Sequence, residues 1–483
     1  MHRRPEDPTQ RPAGSMRLLA TAMLSVGLLA GLVTSACGAD TTAAEDMSGG
    51  PSKTAASSTT TPDTAGEGGS KGIPQPVVTG DLKVAPESQR VDTTMPTFSN
   101  PTNVTNPLFP ASKQESVLML GHVDGKPFRT EVTLLPDTRI IEWRGQRVET
   151  LVSQYTAYLD GRIHEVAYDF YAQADDGSVW YFGEDVFNFK HGVIVDTHGT
   201  WIAGKDGPAA MIMSAEPKAG DVYRPENIPG FVFEEVTVKD THKSLDGPLG
   251  SIDGGLVVEE LHMDGKTEDK TFAPGYGEFY TAGGGDVEAL ALAVPTDAAA
   301  GPTPAELDTL SSGALDTFDA ARSGDWNVAS ATVEKMAGAW ETYRAGKVPK
   351  MIEPRMTDDL AALAEAVDTR NAAQSQQAAI AAAQWSLDLQ LRHRPPVEID
   401  QARVDLWAAQ IMVDAAAGDA EAVNGDLFTL DYVRDRILHT LPGADVTRVN
   451  TILEELQTAV DDGDLAAASD AAERLREIVR PLR

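Results

Sequence analysis

The stretch Glu165-Val166-Ala167-Tyr168-Asp169-Phe170-Tyr171-Ala172-Gln173-Ala174-Asp175-Asp176-Gly177-Ser178-Val179-Trp180-Tyr181-Phe182-Gly183-Glu184 decides the fold. Alternating runs flank Asp176-Gly177, and Asp-Gly favours the positive φ angles of a two-residue hairpin turn. With that turn Asp175 pairs with Ser178, and the register sets Gln173 opposite Trp180, Tyr171 opposite Phe182 and Asp169 opposite Glu184. These six share one face. Val166, Tyr168, Phe170, Val179 and Tyr181 fall on the other, which reads as core. A three-residue loop ending in a Gly bulge would instead turn Tyr168 toward Glu184.

The pattern extends in both directions. Period-2 runs cover Ser116 to His122, Phe128 to Leu135, Thr138 to Trp143, Arg162 to Tyr171, Ser178 to Phe182, Val232 to Val238 and Leu256 to Leu261. Asp-Gly pairs recur at Asp124-Gly125, Asp160-Gly161, Asp206-Gly207, Asp253-Gly254 and Asp264-Gly265. Residues 91–295 therefore read as an antiparallel β-meander, a curled sheet or half-barrel with a buried concave face. No helix-length pattern separates the strands, which argues against parallel α/β.

After Pro302-Thr303-Pro304 the apolar spacing becomes helical, as in Val333, Met336, Trp340 and Tyr343. Gly-Asp recurs at Gly324-Asp325, Gly418-Asp419 and Gly463-Asp464, where Gly closes one helix and Asp caps the next. Residues 303–483 read as an all-α up-and-down bundle of six or seven helices. Its longest helix is expected from Thr357 to His393, stopped by Pro395-Pro396. The fold class is α+β in two domains.

Arg3, Arg4, Arg11 and Arg17 precede an apolar stretch from Leu18 to Ala36 that ends at Cys37, the only cysteine. This is the layout of a lipoprotein signal peptide over 1–36, with the lipid on Cys37. An uncleaved transmembrane helix is the competing reading, since the run approaches the roughly 20 residues that span a bilayer. Residues 37–90 are rich in Thr, Ser, Gly and Pro, with little to bury, and read as a disordered tether. The expected location is extracytoplasmic, with the membrane as partner through the lipid anchor. With 40 basic against 73 acidic residues the net charge is −33, which disfavours nucleic acid. One thiol allows neither disulfides nor covalent c-type haem.

Chemical motifs are sparse. His164-Glu165 opens like a zinc-protease motif, but Tyr168 stands where the second histidine belongs. No G-x-S-x-G elbow, phosphate loop or dinucleotide fingerprint occurs, and no cofactor is expected. What remains is Asp169 opposite Glu184, two carboxylates about 5 Å apart beside aromatic rings. Three readings stay open. Arg162 neutralises the pair; a divalent cation binds Glu165, Asp169 and Glu184; or a raised pKa makes Asp169 or Glu184 a catalytic general acid. Tyr171, Trp180 and Phe182 are the candidate ligand-binding rings.

Tyr171-Ala172-Gln173 followed by Val179-Trp180-Tyr181-Phe182-Gly183-Glu184 resembles a group of uncharacterised bacterial secreted and envelope lipoproteins. The resemblance continues through Gly199-Thr200-Trp201-Ile202-Ala203-Gly204, Gly220-Asp221-Val222-Tyr223-Arg224 and Ala273-Pro274-Gly275-Tyr276-Gly277. It covers the β-domain and implies an envelope protein without a named activity. The expected function is a non-enzymatic binding or scaffolding module, its sheet holding an apolar, glycan or peptide ligand. The alternatives are a metal- or carboxylate-dependent hydrolase using Asp169 and Glu184, and a helical bundle that recruits an envelope protein with the β-domain as spacer. Replacing Cys37 by Ser is expected to move the protein from the membrane fraction to the soluble fraction and to abolish acyl labelling; retention of both would refute the anchor.

Overall fold

Five hairpin turns place two consecutive residues at positive φ: Asp124-Gly125, Arg144-Gly145, Asp160-Gly161, His191-Gly192 and Gly284-Gly285. That geometry matches the twist of antiparallel strands, so each turn returns the chain directly beside itself. The computed structural model describes residues 82–482. Cys37, the signal segment and most of the tether lie outside the described residues.

The strands are β1 (Ser116–Val123), β2 (Lys126–Trp143), β3 (Gln146–Leu159), β4 (Arg162–Gln173), β5 (Val179–Lys190), β6 (Val193–Asp196) and β7 (Trp201–Ile202). They continue with β8 (Ala210–Met213), β9 (Val222–Ile228), β10 (Val232–Asp246), β11 (Ser251–His262), β12 (Thr267–Ala273), β13 (Gly277–Gly283) and β14 (Asp286–Val294). All join one sheet in the order β6-β5-β4-β3-β2-β1-β14-β13-β12-β11-β10-β9, with β7 and β8 also pairing β5. The ladder is open, since no strand pair among the described residues joins its two ends. Side chains nevertheless meet across the sheet. β5, which pairs β7, and β9 stand ten strands apart along this order. The indole of Trp201 on β7 donates to Glu226 on β9 at 3.3 Å. The sheet thus wraps round an inner face.

The helices are α1 (Ala305–Ser323), α2 (Trp326–Tyr343), α3 (Ile352–Asp368), α4 (Ala372–Gln390), α5 (Pro396–Ala417), α6 (Ala420–Ile437), α7 (Gly443–Asp461) and α8 (Leu465–Val479). Consecutive helices pack together, α1 also lies against α4 and α5 against α8, and the two four-helix sets meet along α4 and α5. Gly324 and Gly418 take positive φ between helices, while Asp325, Asp419 and Asp464 each accept a hydrogen bond from the backbone three residues on. The long helix expected from Thr357 to His393 is two helices, α3 and α4. Arg370 adopts φ 54° in the role glycine plays elsewhere, and Asn371 caps Gln374, so the break uses the same turn with different residues.

The helical domain docks on the outer face of β2–β4 through buried ions. Arg129 bonds Asp388 at 2.8 Å through two nitrogens, Arg403 bonds Asp388 at 2.8 Å, and Arg436 bonds Glu131 at 2.8 Å. Asp400 accepts from Arg403 at 2.9 Å, and Gln154 accepts from Arg436 at 2.5 Å. Three arginines thus face three carboxylates, and Glu131 is held far below the usual carboxylate range against the opposing effect of burial, by Arg403, Arg129 and Arg436. Beside them Tyr158 stacks on Trp407 at 5.4 Å, and Tyr432 sits among Phe189, Phe187 and Tyr168. Among the described residues no helix is long and apolar enough to cross a membrane. Removing one member of a buried ion network strands its partner, so Arg436→Ala is expected to lower the unfolding free energy by about 3 kcal/mol in urea denaturation; a loss below about 1 kcal/mol would show that Glu131 finds other compensation.

Candidate functional site: carboxyl groups on the inner face

Asp169 and Glu184 stand opposite each other, by a route other than a two-residue turn. The β4–β5 loop is longer: Ala174 N donates to Ser178 O at 2.8 Å, and Gln173 pairs with Val179, Ala172 with Trp180 and Tyr171 with Tyr181. A bulge at Phe182-Gly183, opposite Phe170, then shifts the strand back so that Asp169 meets Glu184. Gly183 is required there, with φ 112° and the Trp201 carbonyl oxygen 2.0 Å from where a Cβ would stand.

The bulge also decides which rings face inward. Tyr171 does. Trp180 and Phe182, expected beside it, lie on the outer face, buried against Trp143 at 6.2 and 5.8 Å. Tyr181 takes the inward place instead: its hydroxyl donates to Asp169 Oδ1 at 2.7 Å, and its ring stacks on Tyr171 at 5.1 Å and meets Trp201 edge-on at 5.4 Å. Arg162 does not neutralise the pair. Its guanidinium crosses to the helical domain, 2.5 Å from Asp414 Oδ2 and 3.6 Å from Asp426.

The register carries the row of acids onward. Glu184 on β5 hydrogen-bonds Glu226 on β9, across the place where the ladder is open. Glu226 pairs with Glu234 on β10, Glu234 with His262 on β11, and Glu260 with Glu268 on β12. His262 Nδ1 is 3.5 Å from Glu234 and Nε2 3.3 Å from Glu268, while Lys270 Nζ is 2.6 Å from Glu260. Glu165 lies farther along β4, opposite Asn188. Glu278 accepts from Thr281, and Glu288, only 2 % exposed, accepts from Thr130 through one oxygen and leaves Oε2 without a partner. Nine carboxyl groups thus face two bases, His262 and Lys270.

Isolation from water sets their protonation. Burial pushes Asp169 up to about 7 in spite of the hydrogen bonds from Tyr181 and Tyr171. Burial and the charge of Asp169 take Glu165 to about 8; burial and Glu234 take Glu226 to about 8; burial and Glu278 take Glu288 to about 8. Glu184 is raised well above the ordinary value by burial, Glu226 and Asp169. His262 moves the other way from what burial dictates: Glu234 and Glu268 raise it to about 10.

Glu165, Asp169 and Glu184 do not form a metal-competent group among the described residues; Glu234, Glu260 and His262 do, with one ligand atom from each lying within 4.8 Å of the others. Sequence reasoning missed that half of the row. A signal existed, because Glu260 and His262 continue the inward phase of Leu256 and Val258 on one strand, and polar residues in a core phase call for an explanation. At one end of the inner face the segment before β1 crosses over, with Thr105 and Asn106 donating to Gln173 at 2.8 Å and Phe109 against Tyr171 at 4.9 Å. No protein-family model matches the chain, and no curated protein matches it.

An acid whose folded pKa lies above its unfolded value of about 4 contributes stability that is complete below pH 4 and is lost as pH rises through the folded value. For Asp169, Glu165, Glu226 and Glu288 that window closes near pH 7 to 8. Urea midpoints are therefore expected to fall between pH 5 and pH 8, and Asp169→Asn with Glu226→Gln to flatten that fall; a slope unchanged in the double variant would show that these groups titrate normally.

Proposed function

We propose that the chain is a lipid-anchored cell-envelope protein whose β-domain is a non-enzymatic binding module, and that its ligand is a cation held on the inner face of the sheet. One observation carries this reading: among the described residues the inner acids lack the arginines that the same molecule supplies to most of its other buried carboxylates. Glu131, Asp388 and Asp400 meet Arg129, Arg403 and Arg436; Asp92 pairs with Arg90 and Glu235 with Arg224. Around Asp169, Glu184 and Glu226 only protons, tyrosine hydroxyls and the Trp201 indole N–H stand in. A bound cation would replace those protons, and Tyr171, Tyr181 and Trp201 add ring faces that attract positive charge. This replaces the apolar, glycan or peptide ligand of the sequence reading.

A second reading rests on Asp169, a carboxyl titrating near neutrality and held by Tyr181, which suits a general acid in a hydrolase. The helical domain, fixed to the outer face, is left as the surface for an envelope partner.

The test is thermal unfolding at pH 7.5 with spermidine, with zinc or cobalt ions, and with sodium chloride at matched ionic strength. At about 100 times Kd a cation bound to the folded state is expected to raise Tm by about 2 °C or more, and Glu184→Gln with Glu226→Gln to remove the spermidine response. If neither the polyamine nor the metals exceed the salt control, the cation reading is wrong; a turnover of ester or glycoside substrates that Asp169→Asn abolishes would favour the hydrolase.

A further inference from the structure

We propose that Glu234, Glu260 and His262 hold one divalent first-row transition-metal ion on the inner face, with Glu268 beside it. This deepens the cation reading and rests on it, since it names the class of cation and its place.

Register builds the donor set. Glu260 and His262 are two apart on β11 and so project to the same side; Glu234 lies directly opposite His262, and Glu268 directly opposite Glu260. Ligand atoms of the first three lie within 4.8 Å of one another. Tetrahedral bonds of about 2.0–2.2 Å set donors about 3.3–3.6 Å apart, so the widest pair must close by about 1 Å, a shift that rotation of the Glu side chains supplies. Two carboxylates and an imidazole suit zinc, cobalt, manganese or iron(II), while the imidazole disfavours calcium and magnesium. Three protein ligands leave a coordination position open, as in sites that exchange their ion or bind a further ligand.

Independent observations point to the same spot. The Tyr223 hydroxyl is fully buried and has no hydrogen-bond partner, and the charges that act on it most are those of Glu260 and Lys270. His262 Nε2 and Glu268 Oε1 are 3.3 Å apart, yet neither forms a well-aligned hydrogen bond. The ε-ammonium of Lys270, 2.6 Å from Glu260 and 3.6 Å from Glu268, is the cation that now occupies the cluster. It rides on a flexible four-carbon stem and has Glu278 as a further acidic neighbour. A metal ion would displace it in that direction, and the vacated Glu260 oxygen would become a ligand.

The experiment equilibrates the full chain with zinc, cobalt(II) or calcium, removes free ion by gel filtration, and measures retained metal with the visible spectrum of the cobalt form. One equivalent of zinc or cobalt per chain is expected, with little calcium. His262→Gln and Glu260→Gln should weaken binding about 10-fold or more, whereas Glu142→Gln, at an exposed acid of β2, should leave it unchanged. Lys270→Met, which takes away the competing ammonium and keeps the stem, should tighten binding about 10-fold; this gain reads the site even if an acid variant folds poorly. Absence of stoichiometric zinc or cobalt in the wild type, or a Lys270→Met variant that binds no more tightly, would overturn the metal site. If spermidine still stabilises the protein in that case, the cation reading stands without the metal; if it does not, both fall.

Discussion

A carboxyl group removed from water must be paired with a base, keep its proton or coordinate a cation, because its bare charge costs several kcal/mol to bury. This protein applies different solutions on the two sides of one sheet. Outside, where α4, α5 and α6 dock, Glu131 and Asp388 lie in a mesh of arginines. Inside, burial raises Asp169 to about 7, burial and Glu234 raise Glu226 to about 8, and burial, Glu226 and Asp169 hold Glu184 well above the ordinary carboxylate range. The outer network has the stoichiometry of structure. The inner row has more carboxyl groups than bases, His262 and Lys270 being its two cations.

That row depends on curvature and register together. Within a strand pair, opposition is set by counting residues, and Asp169 with Glu184, Glu226 with Glu234 and Glu260 with Glu268 each follow from an adjacent ladder. The link from Glu184 to Glu226 is different, since their strands share no ladder and meet because the sheet wraps round. Flattening the sheet would leave two separate acidic clusters. Trp201, fully buried on the short strand β7, spans the gap by pairing with Glu184 through its backbone and with Glu226 through its indole.

Much of this architecture was legible in the sequence, for reasons that also mark the limits. Asp-Gly turns and period-2 alternation identify a meander, and Gly-Asp pairs identify helical turns, because both signals are local. Asp169 and Glu184 were matched correctly although two intermediate steps differ: the loop adds a residue to the turn, and the bulge at Gly183 compensates. The same compensation turned Trp180 and Phe182 outward, which counting from the turn alone could not reveal. In the helical domain Arg370-Asn371 performs the turn that Gly-Asp performs elsewhere, so the break between α3 and α4 carried no glycine to announce it. The acids of β9–β12 were illegible as a site because nothing local says which distant strand will face Glu184.

The helical domain bears on the inner face without touching it. Arg129 and Arg162 are basic residues of the strands nearest Asp169, and each is committed outward, Arg129 to Asp388 and Arg162 to Asp414. Arg139 likewise bonds Asp185 and lies over the Phe170 ring at 4.4 Å, on the outer side of the same strands. Docking therefore supplies the strands with partners for their cations on one side and leaves their inward acids without them. The charge deficit inside the sheet and the ion pairing behind it are two consequences of one arrangement, in which alternation along β2 and β4 sends Arg129, Arg139 and Arg162 outward while Glu165 and Asp169 face inward.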